Sequence, residues 1–331
     1  MHLLSLILPS LNVANYISEC VESALTQTLE DIEILCIDAC STDGTYEILM
    51  DYERRCREGE WPGKTLQVLR SPKKSYGYQV NLGLRIATGR YVAILETDDY
   101  VDQRMYERLV RISEEMQLDY VRGEYDFFTT NTEGKREYRH VHHYAPTNIL
   151  LTDTRSERIM TYDQNLWKGI YRLEFLREHA IRFNESAGAA FQDIGFNMQV
   201  FSYAKRAYYI EESYYRYRRD RDESSIHSLE CFRYYVQELT FLKELDPDYS
   251  KFYWPGIGER FACALCGEYN KAVKVFGITP DSDYLAPYLP VLISFFRDVM
   301  DRGIWPAPTT PTGQVKAILR LCDLFPTSAD R

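Results

Sequence analysis

The sequence predicts an α/β fold in which a mostly parallel sheet is flanked by helices, with a helical region toward the C-terminal end. Short β-type runs alternate with helical patterns through the first 100 residues, and such alternation is typical of a parallel sheet covered on both faces. One run, residues 91–95, is almost continuously apolar, as expected for a strand buried on both sides. After residue 225 the strand patterns give way to long segments with helical spacing.

The first 100 residues contain four predicted strands and three predicted helices. The strands cover residues 4–9, 32–37, 65–69 and 91–95. The helices are marked by apolar spacing at Ile17, Cys20, Val21 and Leu25, at Tyr46, Leu49 and Met50, and over residues 76–88. Residues 41–44 are expected to form a turn that caps the second helix. Gly89 follows the third helix, where a left-handed C-cap is expected.

Three further helices are predicted at residues 229–245, 252–275 and 284–300. The prolines at 306, 308 and 311 predict a stiff connector to a last amphipathic helix. That helix carries Val315, Ile318, Leu319 and Cys322. It could cover the core or touch a membrane or partner, and its few basic residues favour core packing.

Composition narrows the classes of function. The chain has 331 residues and a formal net charge of −10, which argues against a nucleic-acid partner because phosphates demand a basic surface. No apolar stretch reaches the roughly 18 to 20 residues of a membrane helix, and residues 3–11 lack the basic flank of a signal peptide. We therefore expect a cytoplasmic protein. Cys263 and Cys266 are expected to be helical core thiols, since zinc needs about four ligands.

Three carboxylates follow the strand at residues 91–95. Glu96, Asp98 and Asp99 lie at its carboxyl end, where open α/β sheets usually place their ligands. Their mutual repulsion would be relieved by a hard divalent cation that carries a substrate's phosphates. Acidic residues after a strand also cap the next helix, here near Asp102. On these residues alone, both interpretations stay open.

Other polar residues follow strands that should end at the same edge of the sheet. Pro9 ends the first strand, Ser10 and Asn12 lie in the turn after it, and Asp38 follows the second strand. Asp38 could accept hydrogen bonds from a base or ribose, or it could close its own turn. No Walker-type phosphate loop and no dinucleotide glycine fingerprint occurs in the sequence.

The motifs of residues 4–225, taken in their order along the chain, resemble those of the family 2 glycosyltransferases. These enzymes have a GT-A fold, which is a Rossmann-like fold. The matching residues are Pro9 and Asn12 of the first nucleotide-contacting loop, Asp38 and Ser41 to Gly44 of the base-binding turn, Asn81, Gly83, Ala87, Thr88 and Gly89 of the third helix, and Asp98, Asp99 and Tyr100 of the metal motif. Ala39 and Cys40 replace the usual Asp and Gly, and Glu96 stands where Asp is common. Residues 76–79 also depart from the commoner small residues.

The second half resembles the acceptor side of bacterial members that build surface polysaccharides, with Trp167 to Tyr171 and Phe191 to Phe196 as the matching blocks. In the family the latter block carries an acidic pair whose second member is the catalytic base. Gln192 replaces the first acid here, and Asp193 keeps the second. From position alone, Asp193 would instead cap a helix. Arg218, Ser224 and Ser225 resemble the loop that closes over the diphosphate, although residues 205–221 could equally form an edge strand whose arginines stack on tyrosines.

The resemblance implies an inverting, metal-dependent glycosyltransferase that uses Mn2+ or Mg2+. The donor would be a nucleotide diphosphate sugar, with a UDP-sugar preferred, and the acceptor a glycan or lipid-linked hydroxyl in cell-surface polysaccharide synthesis, with peripheral contact at the inner face of the membrane. The implied residues are Asp193 as base, Pro9, Ser10, Asn12, Asp38, Asn81, Asp98 and Arg218 for the donor, and Asp98 and Asp99 for the metal. Residues 1–225 would form the GT-A domain, with a nucleotide-binding half (1–100) and an acceptor half (101–225), and residues 226–331 a helical region.

Two alternatives remain from the sequence. A nucleotidyltransferase would also use carboxylates and a metal, but it should carry an early glycine- and lysine-rich phosphate loop, which residues 9–12 do not provide. A catalytically inactive sugar-nucleotide or glycan-binding module is suggested by Ala39, Cys40, Glu96 and Gln192. Measuring donor turnover would separate these classes of protein.

Overall fold

The computed structural model describes residues 2–220, 230–277, 284 and 286–305. The chain divides into two compact units. The first unit contains residues 2–154, 165–189 and 204–220 of the described part of the chain. The second contains Arg155–Gln164, Ala190–Tyr203 and the described residues after 225. Each unit is therefore assembled from separate stretches of sequence.

The first unit is built on one sheet, which has nine strands in the described part of the chain. The strands are β1 (Leu4–Ser10), β2 (Ile32–Asp38), β3 (Lys64–Arg70), β4 (Tyr91–Ile94), β5 (Tyr100–Val101), β6 (Tyr120–Thr130), β7 (Arg136–Val141), β8 (Gly169–Arg172) and β9 (Ala207–Arg218). Their order is β3-β2-β1-β4-β8-β6-β9-β5, with β7 paired to β6. The strands from β3 to β4 are parallel, as predicted. Beyond β4 the sheet is mixed, because β8 runs antiparallel to both of its neighbours.

Helices cover both faces of this sheet, which confirms the predicted fold class. The helices of the first unit are α1 (Ile17–Leu25), α2 (Thr45–Arg57), α3 (Tyr76–Ile86), α4 (Met105–Met116) and α6 (Leu173–Glu178). Successive side chains of a strand point to opposite faces. Leu6 and Leu8 of β1 accordingly pack into a core that includes Ile17 and Val21 of α1. Ile7 points to the other face, where α3 packs closely against it.

Two local predictions in the first unit are wrong. Gly89 is not a left-handed cap: α3 ends at Ile86, and Gly89 is absent from the residues with positive φ. Glycine is needed there because an added Cβ would lie 2.5 Å from the backbone nitrogen of Ser5. The edge-strand alternative for residues 205–221 is wrong for the end of β9, where Tyr215 and Arg216 pair with β5.

The second unit is helical in its described residues. Its helices are α5 (Glu157–Tyr162), α7 (Gln192–Tyr203), α8 (Cys231–Leu245), α9 (Trp254–Phe276) and α10 (Leu289–Asp301). The last three confirm the predicted helical segments. Cys263 and Cys266 both lie on α9, as predicted, with Cys266 buried. The predicted connector at Pro306, Pro308 and Pro311 and the helix at residues 315–322 lie outside the described residues. Within those residues, no helix has both the length and the apolar composition that crossing a bilayer requires.

The turn after α8 is organised around the buried carboxylate of Asp246. Its oxygens accept hydrogen bonds from the backbone N–H groups of Ser250 (2.9 Å), Lys251 (2.8 Å) and Phe252 (3.0 Å), and from the indole N–H of Trp254 (2.7 Å). Burial raises the pKa of Asp246, but these donors outweigh that effect and hold the pKa below its usual range. The carboxylate therefore ties α8 to the start of α9.

We expect Asp246→Ala to lower the free energy of unfolding by about 2–3 kcal/mol, because it leaves a buried indole N–H and three backbone N–H groups without their charged acceptor. Because folding lowers the pKa of Asp246, its ionised carboxylate stabilises the folded state fully above the unfolded-state pKa of about 4. This stabilisation is lost as the pH falls through the folded-state pKa. Urea unfolding of the wild type and of Asp246→Ala, at neutral and at strongly acidic pH, measures the difference between their free energies of unfolding. Glu244→Ala, an exposed change on α8, is the control. An equal difference at both pH values would contradict the prediction.

Candidate active site

The loops that follow β1 and β2 are joined through Asn12. Its backbone N–H donates to the hydroxyl of Ser41 (2.9 Å), and its side-chain oxygen accepts a hydrogen bond from the N–H of Thr42 (2.9 Å). Asn12 has a φ of 53°, a left-handed conformation that Asn tolerates better than most residues. The residue predicted to contact the nucleotide therefore also fixes the positions of these two loops.

Asp43 makes a second connection between the same loops. Its carboxylate accepts hydrogen bonds from the N–H of Ala14 (2.9 Å) and from the N–H (3.0 Å) and hydroxyl (2.6 Å) of Thr45. Burial raises the pKa of Asp43, but these hydrogen bonds outweigh that effect and lower the pKa below its usual range. The helix α2 begins directly after Gly44, whose φ of 99° favours glycine. The predicted turn and cap at residues 41–44 are confirmed.

Asp38 is the last residue of β2 and pairs in register with Ser10 of β1. Its buried carboxylate accepts a hydrogen bond from the N–H of Ser41 (3.2 Å) and lies 3.3 Å from the guanidinium of Arg70. Arg70, from the end of β3, stacks on the ring of Tyr46 at 3.6 Å. Asp38 thus closes its own turn, as one alternative proposed. A contact between Asp38 and a base stays a prediction.

Backbone carbonyl groups at the end of β1 connect three neighbouring segments. The carbonyl of Pro9 accepts a hydrogen bond from the Thr97 hydroxyl (3.0 Å). The carbonyl of Ser10 accepts hydrogen bonds from the N–H of Ala39 (2.9 Å) and from the side-chain amide of Gln79 (2.9 Å). The structure therefore brings the ends of β1 and β2, the start of α3 and the acidic residues after β4 to one edge of the sheet.

Asp98 and Asp99 have different environments. Asp98 is half-buried, whereas Asp99 is buried. The two oxygens of Asp99 accept hydrogen bonds from the Tyr215 hydroxyl (2.7 Å) and from the N–H of Arg218 (2.7 Å). Burial, and then the charge of Asp98, raise the pKa of Asp99 well above its usual range. Asp99 therefore anchors β9 to the acidic loop, defined as residues 96–99, and Asp98 presents the more accessible carboxylate.

Glu96 reaches α3 from the acidic loop. Its carboxylate accepts a hydrogen bond from the hydroxyl of Tyr76 (2.6 Å), and Tyr76 packs edge-on against Phe183 with ring centroids 5.9 Å apart. Glu96 and Tyr76 are two of the positions at which the sequence departs from the family pattern. The structure makes them partners in one hydrogen bond, so the two departures are linked.

Arg218 supports the acidic loop from the end of β9. Its Nε donates to the backbone carbonyl of Asp98 (2.8 Å), and a terminal nitrogen donates to Glu19 of α1 (2.8 Å). The Arg218 side chain is only 8% exposed. These contacts fix the loop backbone that carries Asp98. Ser224 and Ser225, expected in the same closing loop, lie outside the described residues.

A stack of aromatic rings lies beside the acidic loop. Trp167 is parallel to Tyr217, with an interplanar angle of 2° and centroids 5.3 Å apart, and it stacks on Tyr215 at 4.2 Å. Tyr125 packs against Trp167 in a T-shaped arrangement, with ring centroids 4.9 Å apart. Burial, and then the charges of the acidic loop, raise the pKa of Tyr217 to about 12. Because the Tyr215 hydroxyl donates to Asp99, the aromatic stack and the acidic loop are directly connected.

Asn81 lies in α3, where its buried side chain holds the segment that follows Ile181. Its amide nitrogen donates to the carbonyl of Phe183 (2.9 Å) and to Glu185 (3.1 Å), and its oxygen accepts a hydrogen bond from the N–H of Phe183 (2.9 Å). A donor contact at Asn81 stays a prediction, and it would require these hydrogen bonds to rearrange.

The acidic loop suits Mn2+ or Mg2+ through Asp98. Such hard cations take oxygen ligands and are often bound by one or two carboxylates together with substrate phosphates. In the described part of the chain, three potential ligand atoms converge within 4.8 Å only at Glu124, His140 and His142. The acidic loop therefore does not form a three-carboxylate cage, and Asp99 as a metal ligand stays a prediction.

Asp193 belongs to the second unit and lies in the first turn of α7. It is half-buried, and Phe191 before the helix has a φ of 62°. Phe191 stacks on Tyr235 of α8 with centroids 4.4 Å apart. Burial raises the pKa of Tyr235, and the negative charge of Asp193 adds to that effect. Asp193 is thus the second residue of α7 and not its N-cap, while its catalytic role stays a prediction.

Sequence reasoning missed Glu19, Arg136 and Arg70. Glu19 accepts hydrogen bonds from both terminal nitrogens of Arg136 (2.5 and 2.9 Å) as well as from Arg218. Residues 19, 136 and 218 share no local pattern, so no spacing rule could have grouped them. Arg70 directly follows the predicted strand at residues 65–69, at the same edge of the sheet as Asp38, and that position was an available signal.

The order and direction of the strands give the chain the fold of the GT-A glycosyltransferases. The chain belongs to glycosyltransferase family 2, since the family model described as "Glycosyl transferase family 2" matches residues 5–184.

Three known proteins illustrate the similarity. The uncharacterized glycosyltransferase EpsJ of Bacillus subtilis is 30% identical over 224 residues, which cover 66% of this chain but only 61% of EpsJ. The uncharacterized glycosyltransferase YibD of Escherichia coli is 29% identical over 258 residues, which cover 75% of this chain and 72% of YibD. The crystal structure of S. aureus TarS 1-349 in complex with UDP-GlcNAc superposes with a TM-score of 0.65 at 20% identity, covering 95% of this chain and 83% of that one, and shows the shared fold.

Proposed function

We propose that this protein transfers a sugar from a nucleotide diphosphate donor, preferably a UDP-sugar, to a hydroxyl of a glycan or lipid-linked acceptor, with inversion at the anomeric carbon. The main support is the half-buried carboxylate of Asp98 at the carboxyl edge of the parallel strands, on a loop that Arg218 and Asp99 fix in place. The UDP-GlcNAc complex of TarS supports a uridine nucleotide.

In this proposal the nucleoside is bound at the carboxyl ends of β1 and β2, by Pro9, Ser10 and Asp38, and by Asn12 in the loop after β1. Asp98 holds the divalent cation, and Asp99 is its predicted second ligand. When bound, Mn2+ or Mg2+ would neutralise the charge that develops on the departing diphosphate. Arg218 orders the backbone of the acidic loop, since its side chain is only 8% exposed, and its contact with the diphosphate stays a prediction.

Asp193 is the proposed catalytic base. It takes the proton of the acceptor hydroxyl as that oxygen bonds to the anomeric carbon, while the bond from this carbon to the diphosphate oxygen breaks. The nucleoside diphosphate leaves from the opposite face, so a single displacement inverts the configuration. The support for Asp193 is its place in the matching sequence block and at the start of α7.

The setting of the reaction is also part of the proposal. We place the enzyme in the synthesis of cell-surface polysaccharides, in the cytoplasm and with contact at the inner membrane face, as the sequence resemblance implies. The alternative of a catalytically inactive binding module is kept as an outcome of the test, because Gln192 replaces the family's first acid.

Nucleotide release from a panel of UDP-, GDP-, CMP- and dTDP-sugars tests the proposal. We expect release from one donor class in the presence of Mn2+ or Mg2+, loss of release with a chelator, and recovery when excess metal is restored, because the diphosphate needs a cation as it departs. Nucleotide affinity is measured in parallel by calorimetry. Metal-dependent affinity without release, even with a panel of glycan acceptors, would support the binding module. The absence of both nucleotide affinity and nucleotide release would contradict the proposed donor site.

A further inference from the structure

A second group of metal-ligating side chains lies on the β6–β7 hairpin of the first unit. Glu124 belongs to β6, His140 belongs to β7, and His142 follows the end of β7. Residues two apart in an extended chain point to the same face, so His140 and His142 share one side of the hairpin. The register that pairs Tyr125 with Val141 places Glu124 beside His142. The hairpin topology thus groups these three side chains.

The three ligand atoms converge closely. Oε2 of Glu124 lies 2.5 Å from Nε2 of His140 and 3.0 Å from Nδ1 of His142, and all three atoms lie within 4.8 Å of one another. A tetrahedral zinc ion with bonds of about 2.0–2.2 Å needs its ligand atoms about 3.3 Å apart. Zinc binding therefore requires His140 to move about 0.8 Å and His142 about 0.3 Å further from Glu124, and the side chains of these two histidines are 36% and 79% exposed.

Neighbouring groups already orient two of the three ligands. Oδ1 of Asp126 lies 2.8 Å from Nδ1 of His140, which leaves Nε2 to face the centre of the cluster. Arg216 holds the other oxygen of Asp126 at 2.8 Å. The N–H of His143 donates to Oε1 of Glu124 (3.0 Å), which leaves Oε2 for an ion. Carboxylate partners of this kind fix the orientation of metal-binding histidines in many zinc sites.

We propose that Glu124, His140 and His142 bind a transition-metal ion of the Zn2+ class and clamp the β6–β7 hairpin. Two imidazole nitrogens and one carboxylate oxygen suit Zn2+, whereas the oxygen-only acidic loop suits harder cations such as Mg2+. The exposed side of His142 leaves a fourth position for water. Tyr125 lies between Glu124 and Asp126 and contacts Trp167 (4.9 Å), so the clamp also fixes the strand that supports the aromatic stack.

Zinc titration of the full chain, purified without a histidine tag and cleared of metal by a chelator, tests this site independently of the proposed function. With excess Mg2+ present and a chromophoric chelator as competitor, we expect one equivalent of Zn2+ to bind. His140→Ala and His142→Ala should remove this binding, and Asp126→Asn should weaken it about 10- to 100-fold because it loosens the orientation of His140. His179→Ala, an exposed histidine at the end of α6, is the matched control and should bind normally.

Two further measurements separate this site from the acidic loop and from a folding defect. Asp98→Asn should keep its Zn2+, and added Zn2+ should raise the melting temperature of the wild type and of Asp98→Asn but not of His142→Ala. His142 is exposed, so its replacement leaves the core unchanged. Equal Zn2+ binding by the wild type, His140→Ala and His142→Ala would overturn the proposal. So would loss of Zn2+ in Asp98→Asn alone, or no binding by the wild type.

Discussion

Asp98→Asn is expected to lower the initial rate of metal-dependent nucleotide release about 10²- to 10³-fold, the usual effect of removing one preorganised group that stabilises developing charge. The amide keeps the size of the side chain but removes the negative charge that would hold a divalent cation. The backbone carbonyl of Asp98, which accepts the hydrogen bond from Arg218, is not altered. The loss should therefore appear in the reaction rate and metal affinity, and not in the melting temperature.

The control for this experiment is Asp51→Asn, an isosteric change at an exposed position of α2. Asp51 lies near Arg54 and Arg55 of the same helix, and exposed ion pairs of this kind contribute little to stability. It should release nucleotide at the rate of the wild type. If Asp98→Asn binds Mn2+ and releases nucleotide like the wild type, Asp98 is not the metal ligand, and Asp99 becomes the residue to test next.

Asp193→Asn is expected to lower sugar transfer about 10²- to 10⁴-fold while leaving nucleotide affinity nearly unchanged, because an amide cannot accept the proton of the acceptor hydroxyl. The measurement uses the donor selected from the sugar-nucleotide panel and an array of bacterial surface glycans as acceptors. Calorimetry with the free nucleotide gives the affinity. A loss confined to the transfer rate is the result that distinguishes a base from a residue that binds the donor.

Asp248→Asn serves as the matched control in the second unit. Asp248 is exposed in the turn between α8 and α9, and the same chemical change there should leave transfer unaffected. A wild-type transfer rate in Asp193→Asn would remove Asp193 from the role of base and leave it as an acidic residue in the first turn of α7. An equal fall in nucleotide affinity and transfer rate would also argue against that role.

The sequence determined most of the first half of the fold. The predicted strands at residues 4–9 and 32–37 are β1 (Leu4–Ser10) and β2 (Ile32–Asp38), each extended by one residue. A continuous apolar run predicts a strand that is buried on both faces, so the local sequence is sufficient to predict these two strands. The order of motifs also placed the chain in its family. Gly89 shows the limit of this approach, because its need for glycine comes from Ser5, a residue of another strand.

The difference in accessibility between Asp98 and Asp99 arises from the tertiary structure. Asp98 and Asp99 are adjacent and chemically identical, and no sequence pattern separates them. Tyr215 and Arg218 approach from β9 and engage Asp99. The placement of β9 inside the sheet, which the sequence did not predict, therefore makes Asp99 an anchor and leaves Asp98 as the more accessible carboxylate.

The remaining contacts of the site also join distant parts of the chain. Tyr76 meets Glu96, and Glu19 meets both Arg136 and Arg218. Secondary structure follows from the polarity and shape of nearby side chains, which the sequence displays directly. A hydrogen bond between remote residues depends on strand order and register, which result from the packing of the whole unit. For that reason the elements and the family of this protein follow from the sequence, whereas the burial and the partners of each carboxylate follow from the tertiary structure.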